Sequence, residues 1–371
     1  MGNRIRLILA TFCMFTLFFV IITNAFSQEK PRIKKGDDFP LIPLGTPVDS
    51  NHLAYLGISK GDSFTIRDIK ADLVLVEIMN INCSSCQKQA PVNNKLYSLI
   101  ESTPETRGRV KMMAIAAGGL NEYIKQFTDH FKTPYPVLQD PKFNVYDAIG
   151  GGAIPLALFV RQAPGGDASI VAGTHLGFDL DYEGIFKEIQ KLMVVNLATT
   201  REEGKKIKAK VVYAKPILSE KALQAKVKKA FEKEGDKVGE IKEIALSSDL
   251  PIYTSTVEKD GHRKSLFAVM ASSPPPCDVC HDVHFIYLFE QTGKILQLIP
   301  IQLTKEDNED WDETDLEKIR EKVVGRHINM PFDFDPDVDA VTSATITSSM
   351  IFKSLDDGQN LFRELKEKGL L

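Results

Sequence analysis

LVLVEIMNINCSSCQKQAPVNNKL, residues Leu73–Leu96, passes from a strand into a helix across a pair of cysteines. The run Leu73–Val76 is apolar without alternation, the pattern of a strand buried on both faces in a parallel sheet. Beyond the pair, Val92, Leu96, Leu99 and Ile100 recur at helical spacing. Cys83 and Cys86 therefore fall at a strand-to-helix junction, where the helix N-terminus favours a thiolate at Cys83.

Working outward, the chain predicts a strand in RVKMMAIAA, a helix in NEYIKQFTDHF, an extended YPVLQDP, a short helix in FNVYDAIG and strands in PLALFV and ASIVAGTHLG. A helix then carries Ile185, Ile189, Leu192 and Met193 on one face. Strands alternating with helices of these lengths imply an α/β layer fold.

At these residues the chain resembles the thioredoxin superfamily, and within it the exported redoxin-type thiol:disulfide oxidoreductases, over roughly Ile33–Leu197. The resemblance implies a thioredoxin-like domain in which Cys83 is the exposed attacking thiolate and Cys86 the buried resolving thiol. Pro91 matches the proline that kinks the active-site helix, and Glu77 the buried acid that exchanges a proton with the resolving thiol. Pro155 matches a cis-proline whose preceding residue, here Ile154, offers backbone hydrogen bonds to a substrate. The segment MNIN, Met79–Asn82, departs from the aromatic run ending in Trp that most relatives carry, which bears on substrate preference and potential. A Cys-x-x-Cys pair also serves as half of a zinc site, but no second pair or histidine lies near it in sequence. Peroxiredoxins resemble one another in Pro-x-x-x-Thr-x-x-Cys; here Val76 and Asn80 stand at those places, so the hydroxyl that orients a peroxide is missing.

The compartment follows from the first residues. Arg4 and Arg6 precede about sixteen apolar residues and a small polar segment, the layout of a secretory signal peptide over residues 1–27 with cleavage near Ser27. An uncleaved membrane anchor is the alternative, but the apolar run is short for a span. The remainder suggests two domains and carries 44 basic against 50 acidic residues, a balance that attracts neither nucleic acid nor an anionic membrane. With Cys13 removed, four cysteines remain as two tight Cys-x-x-Cys pairs, which in an exported chain hint at redox work.

Residues 198–240 shift to Lys, Glu and Ala and read as a charged linker with a solvated connecting helix over Leu218–Glu234. Residues 241–371 read as a smaller α+β domain. HFIYLFE and KILQLIPIQL flank a hairpin turn at Gly293, and an acidic stretch enters a helix near Asp312. DPDVDAVTSATITSS then resembles the periplasmic FMN-binding domains of the Rnf and sodium-translocating NADH:quinone reductase complexes. Asp339, Thr342, Ala344 and Thr345 match that motif, which implies FMN joined covalently through its phosphate at Thr345. Ser343 stands where the family has glycine; a site needing positive φ makes serine cost on the order of 1 kcal/mol. Bound but unattached FMN, and a fold that has lost the cofactor, remain alternatives.

Cys277, Cys280 and His281 form Cys-x-x-Cys-His, the c-type haem pattern, with His281 as proximal iron ligand and Met270, His284, His327 or Met330 as a sixth. A disulfide or dithiol, or a metal site adding His284, are the rivals. The combined expectation is a periplasmic oxidoreductase acting on disulfide-containing or dithiol client proteins. Its second domain would relay electrons from a membrane or periplasmic donor. A non-enzymatic electron carrier of a respiratory complex and a cytochrome c maturation thiol reductase are the alternative functions.

Overall fold

The computed structural model describes residues 31–371 except 209, 212–213, 215–216, 247–249, 275–280 and 306–307. Residues 1–27, expected to be a signal peptide, and the pair Cys277 and Cys280 lie outside the described residues. In chain order the elements are β1 (Pro31–Arg32), β2 (Leu44–Gly45), α1 (Ser50–Leu56), β3 (Ser63–Phe64), β4 (Leu73–Met79), α2 (Ser84–Ser102), β5 (Val110–Ala117), α3 (Asn121–Phe131), β6 (Val137–Asp140), α4 (Asn144–Ala148), β7 (Leu156–Gln162), β8 (Ser169–Leu176) and α5 (Tyr182–Leu192). They continue with α6 (Leu197–Lys206), β9 (Lys210–Val211), α7 (Glu220–Glu232), β10 (Lys237–Val238), β11 (Lys242–Ile244), β12 (Ile252–Lys259), β13 (His262–Ser273), β14 (Val283–Glu290), β15 (Ile295–Gln302), α8 (Glu313–Val323), α9 (Pro336–Asp339) and α10 (Thr345–Glu367).

The first sheet has the order β6-β5-β4-β7-β8. β4, β5 and β6 are parallel, while β7 and β8 run antiparallel. Every residue of β4 and β5 is buried, including Glu77 and Lys111, as their otherwise apolar runs require of strands covered on both faces. Parallel pairing sends the C-terminal ends of β4, β5 and β6 to one edge of the sheet. β7 enters from that same edge, because Leu156 pairs with Ile78. The edge therefore collects the residues that follow β4 and precede β7, which are the cysteine pair and Pro155.

The second sheet has the order β10-β12-β13-β14-β15, with β11 also on β12, all antiparallel. Along β14 the side chains of Val283, Phe285, Tyr287 and Phe289 join the cluster that includes Leu316, Ile319 and Val323 of α8 and Phe352 and Leu355 of α10. Ile286 and Leu288, on the other face, join Leu223, Val227 and Phe231 of α7. The hairpin between β14 and β15 turns at Gly293, whose φ of 88° suits glycine, and Asp312 caps α8 with a reciprocal bond to Asp315.

The segment 198–240 does not form the solvated spacer expected. α6 lies against the first domain: Arg201 makes a bidentate pair with Asp38 at 2.7 and 2.8 Å, and Gly204 sits against Lys35 and Gly36 where no side chain has room. α7 is a cover of the second sheet, with Leu223, Val227, Ala230 and Phe231 buried. The physical reason is the sheet itself, apolar on both faces and so requiring a layer on each.

Candidate active site

Cys83 is the N-cap of α2, with extended backbone, and Cys86 lies in the first helical turn. Neither is in a disulfide, and their side chains are within hydrogen-bonding reach of each other. The helix runs for 19 residues with Pro91 inside it, so the proline does not end the helix. Cys86, Gln89, Asn93, Leu96 and Ile100 form its buried stripe. Burial pushes the Cys86 thiol well up, reinforced by its hydrogen bond to Cys83 and by the charges of Cys83 and Glu77; a backbone hydrogen bond at Asn80 acts the other way. Cys83 departs from the expectation of an exposed sulfur: it is 1% exposed and belongs to the apolar cluster with Ile81 and Cys86.

Glu77 projects from β4 into the core behind the pair. Burial raises its pKa to about 8, against the opposing effect of a 2.7 Å hydrogen bond donated by Asn93 Nδ2. Asn93 is in turn held by Gln89 Nε2, which donates to its Oδ1 at 3.0 Å, and Gln89 Oε1 accepts from the Asp179 backbone N–H at 2.8 Å. A small cavity bounded by Glu77, Asn93, Tyr135, Pro155 and His175 has room for about one water molecule. At neutral pH Glu77 is thus largely protonated and titrates in the range where a thiol exchanges its proton.

The Ile154–Pro155 peptide bond is cis. Its loop is pinned from two sides: Arg32 Nη2 donates to Ala153 O at 2.5 Å, and the Tyr146 hydroxyl donates to Gly152 O at 2.9 Å. Gly177 N–H donates to Pro155 O at 2.9 Å, tying the proline to the end of β8. The structure therefore brings Cys83, Cys86, Glu77 and Pro155 together at one edge.

Dithiol, buried acid and cis-proline on a β6-β5-β4-β7-β8 sheet define a thioredoxin-like α/β domain. The chain is similar to two curated proteins, each named thiol-disulfide oxidoreductase ResA. That of Geobacillus thermodenitrificans is 22% identical over 178 residues, covering 47% of this chain and 91% of that protein. That of Halalkalibacterium halodurans is 22% identical over 103 residues, 28% of this chain and only 56% of that protein, so this chain spans about half the length of that relative. Among solved structures, the thioredoxin domain of a thiol-disulfide oxidoreductase from Bacteroides vulgatus is 19% identical with a TM-score of 0.32, covering 42% of this chain and 99% of that one. No family model matches the chain. The matched proteins are oxidoreductase enzymes by name, the class that the cysteine pair led one to expect.

In the second domain, Asp339 ends α9 and its carboxylate accepts from Asp335 N–H at 3.0 Å. Thr342 is exposed, Ala344 is buried, and Thr345 is the half-buried first residue of α10. Ser343, at the position where the FMN-binding domains have glycine, has φ of 57° and is left-handed. The turn is fixed by Ser348 Oγ, which accepts from Val341 N–H at 3.0 Å, and by Thr347 Oγ, which donates to Thr304 O at 2.8 Å. α10 starts without a side-chain cap. A tight turn of small residues entering an uncapped helix fits a phosphate at Thr345.

For the haem pattern only His281, exposed just before β14, is described. His284 is buried within β14, its Nδ1 2.9 Å from Ser272 Oγ. His327 bonds Thr292 O at the far turn of the hairpin, and Met330 follows it. Eight residues of β14 separate that turn from His281, roughly 25 Å of strand, too far for either to share an iron with it. Among the described residues no group of three His, Cys, Asp or Glu side chains is placed to hold a metal ion. No helix of the described residues is long and apolar enough to cross a membrane.

Sequence reading missed Asn93 and Gln89. Their signal was present: two amides four apart on the helix face that also carries Cys86 and Leu96 must bury polar groups, and buried amides need partners.

Proposed function

We propose that this chain is an exported thiol:disulfide oxidoreductase whose Cys83–Cys86 dithiol exchanges electron pairs with client proteins. The observation that supports it most is Glu77, a buried acid titrating near pH 8 directly behind a dithiol at a helix N-terminus. In the reducing direction, the Cys83 thiolate attacks one sulfur of a client disulfide. The client S–S bond breaks, a Cys83–client bond forms, and the first client thiolate leaves. Cys86 gives its proton to Glu77 in its ionised form, a minority at neutral pH that grows toward pH 8, and attacks Cys83, breaking the mixed disulfide and releasing the second client thiolate. Two electrons have passed to the client, and the enzyme holds a Cys83–Cys86 disulfide; the reverse sequence oxidises a client dithiol. Pro155 holds the client backbone beside the pair.

The second domain is assigned the supply of electrons, from a membrane or periplasmic donor. Thr345 at the start of α10 would hold FMN through its phosphate, with Ser343 and Ala344 letting the backbone approach and Asp339 fixing the preceding turn. When bound, flavin converts between single- and paired-electron transfer, which a dithiol does not do alone. Cys277, Cys280 and His281 are the residues for haem c.

The burial of Cys83 favours a second reading, a non-enzymatic carrier in which the first domain only docks. One experiment separates the two. Protein purified from an exporting host competent in haem and flavin assembly is equilibrated with glutathione buffers, and turnover of a protein disulfide is followed. The proposal expects a reversible Cys83–Cys86 disulfide by peptide mass and turnover lost in Cys83→Ser; formation of the disulfide without turnover supports the carrier. Absorbance and intact mass of the same sample report flavin at Thr345 or haem.

A further inference from the structure

The edge of the first sheet that carries Cys83 is the edge against which the second domain rests. Because β4, β5 and β6 are parallel, the segments leaving them emerge together: Cys83 after β4, Tyr123 in the first turn of α3 after β5, and Lys142 and Asp147 after β6. Tyr123 Oη donates to Asp335 Oδ1 at 2.8 Å. Lys142 Nζ pairs with Asp333 at 3.2 Å. Lys353 of α10 reaches back to Asp147 at 3.1 Å while also holding Asp357 at 3.0 Å. All these second-domain groups lie within 333–357, the stretch that contains Asp339–Thr345.

The contact is also apolar. One cluster of buried side chains runs through both domains, with Val341, Ala344 and the half-buried Phe334 on the second-domain side. Among the described residues no strand is shared between the two sheets, and the contacts between the domains named above are made by side chains. Lys142 and Asp333 are largely exposed and worth little, whereas Lys353 is mostly sequestered between two carboxylates. Cys83, the atom that must meet a client, is meanwhile 1% exposed.

We infer that the second domain occupies the surface on which a client lies, and that an extended, disulfide-bearing polypeptide reaches Cys83 when the second domain, which touches the first through residues within 333–357, moves off that edge as a body. The occupant is the chain itself; the competing partner is a client backbone beside Pro155. The identity of that client rests on the function proposed above, but the cover does not. The two partners exclude each other: closed, the dithiol faces the second domain; open, it faces the client.

The test reads the accessibility of Cys83 and needs no activity. The reduced full chain is alkylated with N-ethylmaleimide and the rate at Cys83 is followed by peptide mass. Asp147→Lys places like charges at the Lys353 contact, and far-UV circular dichroism checks that the variant is folded. Alkylation at Cys83 is expected to rise at least about tenfold, the change from about 1.4 kcal/mol lost in the docking equilibrium. Tyr123→Phe, a milder change, is expected to raise it less. Combining Asp147→Lys with Lys353→Asp, so that the introduced lysine again faces two carboxylates, is expected to restore the slow rate. An unchanged rate in the folded single variants, or a fast rate not restored by the charge exchange, overturns the inference.

Discussion

Asn93 Nδ2 donates to Glu77 Oε2 across 2.7 Å inside the core of the first domain, joining the active-site helix to the central strand through a group that titrates near pH 8. The bond favours the carboxylate while burial disfavours it, and burial wins. That balance makes the site sensitive to pH in a direction that can be worked out.

Glu77 has a folded pKa of about 8 against a reference of 4.5, so the fold prefers the neutral acid. The associated stability is fully present below pH 4.5 and is lost as pH rises to 8, up to about 5 kcal/mol across the window. Glu77→Gln removes this dependence. Urea unfolding of the reduced protein at pH 5 and pH 8.5 is expected to show the variant gaining on the parent at the higher pH.

Asn93→Leu deletes the donor that lowers the Glu77 pKa. The rise of client turnover with pH that reports the Glu77 carboxylate is expected to move to higher pH, while Glu77→Gln abolishes that limb. A variant that slows turnover equally at every pH indicates a structural role only. The pH profile of the second-order rate constant decides it.

Phe231 on α7 is fully buried against the second sheet. Phe231→Ala is expected to destabilise the protein by roughly 3–5 kcal/mol, as a core aromatic does. A solvated connector would lose almost nothing, so thermal unfolding distinguishes the two.

Ser343 holds φ of 57° without a glycine. Ser343→Gly is expected to stabilise the second domain by about 1 kcal/mol, read from the denaturant midpoint. A loss of stability shows that the serine side chain makes a compensating contact.

The sequence made the first domain legible because its signals are local. The uniform run of β4, the spacing of α2 and the cysteines between them each depend on neighbours in the chain, and β4–β5–β6 followed directly. The missing glycine at Ser343 raised the question of a positive φ, and the structure answers it with a φ of 57°. α7 was misread because half of its non-glutamine residues are charged, and the stripe Leu223, Val227, Ala230, Phe231 has meaning only beside a sheet whose second face needs covering. The contact between the domains was illegible for a stronger reason: Tyr123 and Asp335 meet across 212 positions, and no local pattern records that.

The central claim is that Cys83 attacks and Cys86 resolves. Cys86→Ser removes the resolving sulfur, so a client that has reached Cys83 stays attached by a disulfide. Incubation of that variant with a protein disulfide, followed by non-reducing electrophoresis and peptide mass of the adduct, is expected to give a covalent complex joined at Cys83 and absent from Cys83→Ser. A variant that accumulates no adduct at Cys83, in protein whose thiol titrates as reduced, contradicts the account.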